Sequence, residues 1–136
     1  MISFNYETNF KLENEQRFSD WIIQTILNED YKEGEINYIF CDDDYLHKIN
    51  VEFLNHDTLT DIISFDYSVG KELHGDIYIS VERVKENAKD FDVQFKDEIA
   101  RVMIHGILHY CGYKDKSSDD KKLMRSKEDY YLEQRS

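Results

Sequence analysis

Residues 105–116, HGILHYCGYKDK, carry the side chains in this chain best suited to chemistry. His105 and His109 stand four apart. On a helix that spacing shares a face, so both imidazoles can turn nitrogen lone pairs toward one cation. Gly112 then offers a positive-φ stop that ends the helix and turns the chain back. Three residues on, Asp115 can return as a carboxylate ligand, giving the pattern H-x-x-x-H-x-x-G-x-x-D. Two neutral imidazoles and one carboxylate leave a fourth position open to water, as in catalytic rather than structural zinc sites. The expectation is one Zn2+ per chain, or another divalent ion, held by His105, His109 and Asp115, with catalysis through its water. A pair of satisfied core histidines is the competing reading. The surrounding apolar run VMIHGILHY favours the metal.

Gly106 stands where a thermolysin-like zinc protease carries the glutamate that serves as general base, which argues against peptide hydrolysis. An interior helical glycine costs ~1 kcal/mol relative to alanine, so a close approach by another chain or a substrate is expected there. Arg101 lies one turn before His105 on the same face. It is a candidate phosphate contact, a surface ion pair being the alternative. Asp61 and Asp76 are candidates to orient a ligand imidazole from behind, against the common role of capping a turn. His56 reads as a solvated loop residue, and His47 and His74 carry no signal.

These residues need elements to position them. Residues 95–112, FKDEIARVMIHGILHYCG, read as a strong helix with Ile99, Val102, Met103, Ile107 and Leu108 on its apolar side. A Ser/Asp start marks a last helix over 117–134. Upstream, 2–7 alternates as a strand, 14–30 is an amphipathic helix, and 34–43 is a strand opened by Gly34. An acidic start opens a helix over 42–55, and 60–68 is a β-branched, aromatic strand. Residues 75–90 begin as a strand and turn helical at Ser80, a candidate N-cap. The order β α β α β β α α α predicts an α/β fold, a four-stranded sheet covered by helices, in one domain over 1–136. Strand order is not readable.

The chain has 136 residues, 40% hydrophobic and 34% charged, with a formal net charge of −12. That charge excludes broad coating of nucleic acid, which needs a basic footprint. Residues 1–113 hold 10 Lys/Arg against 23 Asp/Glu, whereas 114–136 hold 7 against 6. The basic-leaning stretch, KDKSSDDKKLMRSK (114–127), follows the candidate metal site directly. Any RNA contact is therefore expected near 101–127, with Lys121, Lys122 and Arg125. Cys41 and Cys111 form no CxxC pattern and no disulfide framework. No apolar run reaches ~18 residues, and MISFNYETNFKLENE lacks a basic start and an apolar run. A cytoplasmic protein with no membrane partner is the expectation.

The run HGILHYCGYKDK resembles the signature of the YbeY family of bacterial ribosomal-RNA maturation endoribonucleases, His-Gly-x-x-His-Leu-x-Gly-Tyr-Asp-His. LNHDTLTDIISFDY (54–67) looks like the family's Asp-x-Pro-Thr-Asp-Val-Leu-Ser-Phe segment, and GDIYIS (75–80) is similar to its Gly-Asp-Ile strand. The three blocks, in order, span about half the chain. The resemblance implies metal-dependent cleavage of single-stranded RNA in maturation of the small ribosomal subunit. Its implied partners are rRNA and small-subunit proteins, with no DNA.

The departures are specific. Asp115 aligns with the family's third metal histidine and Lys114 with its preceding Asp. Leu54 stands for an arginine linked to RNA, and Leu59 for a proline. A carboxylate is an acceptable zinc ligand, but it lowers the site's positive charge and makes its water less acidic. A non-catalytic ribosome-assembly factor with a structural metal is the second reading, since an acidic body attracts basic ribosomal proteins. A zincin-type peptidase is the third.

Overall fold

A computed structural model of the chain describes residues 1–135. Nine elements follow in the expected order: β1 (Ile2–Tyr6), α1 (Glu15–Asn28), β2 (Lys32–Cys41), α2 (Asp43–Leu54), β3 (Ile62–Asp66), β4 (Glu72–Ser80), α3 (Val81–Asp90), α4 (Phe95–Tyr110) and α5 (Ser118–Glu133). The sheet runs β1-β2-β4-β3. The first three strands pair in parallel, and β3 closes the edge antiparallel to β4. Parallel neighbours need crossover helices, which α1 supplies between β1 and β2.

Alternation along the strands sorts their side chains between two layers. Ile36, Tyr38 and Phe40 of β2 and Leu73, Ile77 and Ile79 of β4 are buried in the main core with α1 and α4. Cys41 and Ile63 pack on the other face with Leu46 of α2. β2 begins two residues before Gly34. The register shifts between Glu33 and Ile36, and a Cβ on Gly34 would fall 2.5 Å from the Leu73 carbonyl oxygen. That glycine therefore sits within an irregularity where two backbones come close instead of opening the strand.

Ser80 is the N-cap of α3, its hydroxyl accepting from the Arg83 amide at 3.2 Å. Ser117 opens α5 with a capping box closed by Asp120. Buried on nearly every side, α4 is the central helix, and the Tyr38 hydroxyl donates to the Met103 carbonyl at 2.8 Å. Among the described residues no helix is long and apolar enough to cross a membrane.

The close approach at Gly106 comes from the sheet. A Cβ there would stand 3.1 Å from Ile62 Cδ1 and 3.2 Å from Ile77 Cδ1. The space is filled by this chain's own core and leaves no room for a substrate. A glutamate at this position would point its carboxylate into hydrocarbon, so the protease arrangement has no place to sit.

Candidate metal centre

His105 and His109 occupy the exposed stripe of α4. The helix ends in a Schellman motif. Gly112 takes φ +96°, its amide donates to the His109 carbonyl at 3.0 Å, and the Tyr113 amide donates to the Leu108 carbonyl at 3.1 Å. This turn brings Asp115 back over the histidines. His105 Nε2 and His109 Nε2 lie 3.0 Å apart, and Asp115 Oδ2 is 3.2 Å from each. Ligand atoms at about 2.0–2.1 Å around tetrahedral zinc stand roughly 3.3 Å apart. The three atoms thus form one face of such a tetrahedron, and no other such cluster occurs among the described residues.

The partners of the other ring nitrogens fix the tautomers. His109 Nδ1 is 3.0 Å from the Tyr113 carbonyl oxygen, which can only accept, so Nδ1 carries the hydrogen. His105 Nδ1 is 2.7 Å from Glu128 Oε2. Burial works to raise the Glu128 carboxyl, but the hydrogen bonds and charges of His105 and Arg101 outweigh it and hold it below the usual range. It is an anion that accepts from Nδ1. Both Nε2 atoms therefore present lone pairs to each other and to the Asp115 carboxylate. Three electron-rich atoms this close repel unless a cation or a shared proton sits among them. Burial favours neutral His105, yet Glu128, Asp115 and Asp61 together raise its pKa, so the site attracts positive charge.

Glu128 was not singled out in the sequence, because it approaches from a helix 23 residues away. A reader of sequence has one weak signal for it, an acid on the inward face of α5. Asp61 and Asp76 do not touch the imidazoles. Asp61 accepts from Asn87 Nδ2 at 3.3 Å and lines the cleft. Burial raises its carboxyl above the usual range, and the opposing charge of His105 offsets this only in part. Asp76 accepts from Asn37 Nδ2 at 3.1 Å. Its neighbours Gly75 and Ile77 face α4, so strand parity turns Asp76 to the opposite side of the sheet.

A cleft of about 300 Å³ opens beside the triad, lined by Asp61, Glu98, Arg101, Asp115, Arg125 and Glu128 among others. Arg101 is held by α5, with Nη1 on Glu128 at 2.9 Å and Nη2 on Asp129 at 2.7 Å, which is the ion-pair alternative. Arg125 lies 3.5 Å from Glu128 with its side chain 58% exposed. His47 pairs with Asp57 and His74 with Glu72. Leu54 ends α2 on the surface, and Leu59 and His56 are exposed in the following loop.

The family model for Endoribonuclease YbeY matches residues 2–136. The chain belongs to the YbeY family. Endoribonuclease YbeY of Flavobacterium johnsoniae is 71% identical over 129 residues, covering 95% of this chain and 93% of that one. Its counterpart in Flavobacterium psychrophilum is 66% identical over 132 residues, covering 97% and 94%. The solution structure of a Thermotoga maritima protein is similar at a TM-score of 0.67 and 26% identity, over 98% of this chain and 87% of that one. The Asp115 carboxylate stands at the distance from both imidazoles that a third zinc ligand would require.

The turn bearing Asp115 is anchored from the other side. Tyr113, whose carbonyl holds His109, donates its hydroxyl to Glu29 at 2.7 Å. Tyr131 donates to the same carboxylate, and Lys127 lies 3.5 Å away. Burial works to raise Glu29, but the two tyrosine bonds and Lys127 outweigh it and leave the carboxyl lowered. A lowered carboxyl stabilises fully above its unfolded pKa, and that stability is lost as pH falls through the folded value. Glu29→Gln should be less stable than the parent near neutral pH. The gap in urea midpoint should hold between about pH 7 and about pH 5 and close as pH falls below the ordinary glutamate value of about 4.3. A gap that stays constant through the acid range would show that Glu29 is not the ionised anchor.

Proposed function

We propose that this chain is a metal-dependent endoribonuclease that cuts single-stranded RNA during ribosomal-RNA maturation, in the cytoplasm, with Zn2+ held by His105, His109 and Asp115. The observation that carries the reading is the triad of Nε2, Nε2 and carboxylate oxygen, 3.0–3.2 Å apart, whose lone pairs converge on one point. A structural zinc would be closed by four protein ligands. Here three converge at the edge of an open cleft, which supports catalysis over a purely structural metal. Zinc bound there would supply a Lewis acid for a phosphoryl oxygen and lower the pKa of water to about 7.

The chain's own residues do the rest. Glu128 and the Tyr113 carbonyl hold the imidazoles in the ligating tautomer. Asp61, Glu98, Asp115 and Glu128 would repel a phosphate chain from the cleft, so the metal's charge and the cations at its edge must outweigh them. Arg125 is the exposed arginine of the cleft. Lys121 stands one turn earlier on the same helix face and is exposed with Lys122. Arg125 is better placed than Arg101 for the phosphate contact, because Arg101 already spends both terminal nitrogens on α5.

Cleavage of a single-stranded RNA by the metal-loaded protein should stop on chelation and return with added zinc. Neutralising Lys121, Lys122 and Arg125 together should weaken RNA binding and reduce the slope of log affinity against log salt by about 2. RNA cleavage that survives chelation, or an unchanged salt slope, would overturn the proposal.

A further inference from the structure

A cavity of about 620 Å³ lies on the α1 side of α5, away from the metal cleft. It opens between the segment entering α1, the start of α4 and the end of α5. Its apolar lining includes Phe10, Phe18, Trp21 and Phe95. Phe10 meets Phe95 edge-on at 5.8 Å, and Phe18 meets Trp21 edge-on at 6.1 Å. Trp21 is the most buried of these rings, 7% exposed, with its Nε1 donating to the Tyr131 carbonyl. The three phenylalanines are half-buried.

Around these rings stand Lys11, Arg17, Lys96 and Arg135. Glu13 and Asp97 are the carboxylates of the lining, and Asp97 is paired with Arg135 at 3.0 Å. Lys11, Arg17 and Lys96 are exposed and have no carboxylate within 4.0 Å among the described residues. A concentration of such cations around aromatic rings is out of character for a chain of net charge −12. Along the sequence it is hidden, because each cation comes from a segment that is acidic on average.

From this juxtaposition we infer that the cavity is a second RNA contact, which takes one nucleotide of a single strand, its base against the rings and its phosphate on Arg17, Lys11 and Lys96. The inference rests on the reading of the metal cleft as an RNA-cleaving site. Bases of any kind stack on aromatic faces, and cationic side chains beside them track the backbone, so such a contact holds a strand without choosing its sequence. Lys96 and His105 are nine residues apart on α4, roughly 14 Å along the helix axis. A strand must therefore extend beyond the metal cleft to reach both. The cavity would favour long single strands over short ones.

The chain's one tryptophan makes the test direct. Cleavage-resistant single-stranded RNA of about 4 and about 16 nucleotides, spanning the usual site sizes, is titrated into the metal-loaded protein. Trp21 fluorescence and affinity are followed together. The long strand should bind more tightly and change the fluorescence, while the short one leaves it unchanged at saturation of the cleft. Lys11→Gln, Arg17→Gln and Lys96→Gln combined should weaken the long strand by about tenfold and lower its salt slope by about 2. Short-strand binding and cleavage should be untouched. All three side chains are exposed, so the variant should fold.

A triple variant that binds and cleaves long strands as the parent does, or an unchanged Trp21 signal with the long strand bound, overturns the second contact alone. Absence of binding by strands of any length overturns both this contact and the RNA-cleaving reading.

Discussion

His105→Ala and His109→Ala should each purify without stoichiometric zinc, and Asp115→Ala should bind it more than about 100-fold more weakly than the parent. The bound rests on comparison. Removing groups that only support a ligand costs about 10–100-fold in metal affinity, and Asp115 supplies one of three direct bonds. Asp115 Oδ2 sits 3.2 Å from both imidazole nitrogens. Asp115→His should retain the metal, because imidazole is an equally good zinc ligand and the Gly112 turn already delivers the side chain to the right place. Metal content of the four purified variants and competition with a chromophoric chelator measure this directly. If Asp115→Ala holds zinc as tightly as the parent, the third ligand lies elsewhere and the assignment fails.

The contrast between what was readable at residues 105–115 and what was not has a physical origin. The i,i+4 histidines, the glycine stop and the returning carboxylate are local, so spacing alone pointed to the three side chains that the fold brings together. The order of elements was equally legible, since the apolar periodicity of 95–110 and the cap at Ser80 are encoded within a few residues. Strand order depends on which strands meet across the chain, and the placement of β4 between β2 and β3 leaves no local mark. Gly106 was correctly marked as a close approach, but whether sheet or substrate fills the space depends on Ile62 and Ile77, about 30–45 residues upstream. Asp76 illustrates strand parity. It neighbours two residues that face α4, and for that reason faces away. Glu128 and Glu29 stabilise the site through partners 23 and 84 residues distant, a separation across which no spacing rule operates.

Glu128 is accordingly the position where a substitution outside the three ligands should do most damage. The residue is 5% exposed, and its carboxylate receives His105 Nδ1 on one oxygen and Arg101 on the other. Glu128→Ala would leave the Arg101 guanidinium with Asp129 alone and His105 Nδ1 without an acceptor. Breaking a buried charge pair by removing one partner costs about 3–5 kcal/mol. The exposed Asp129 bond should keep the loss toward the lower end. The same change frees the His105 ring to rotate, so zinc affinity should fall about 10–100-fold. Glu128→Gln separates the two effects. Its amide oxygen can still accept from Nδ1 and hold the ring, whereas the charge facing Arg101 is gone. Zinc affinity should therefore drop less in Glu128→Gln than in Glu128→Ala, while much of the stability loss remains in both. Urea unfolding of the metal-free proteins reads the stability, and chelator competition reads the affinity. A Glu128→Ala protein that binds zinc within about twofold of the parent would remove Glu128 from the metal site, since supporting groups of this kind act through ligand orientation.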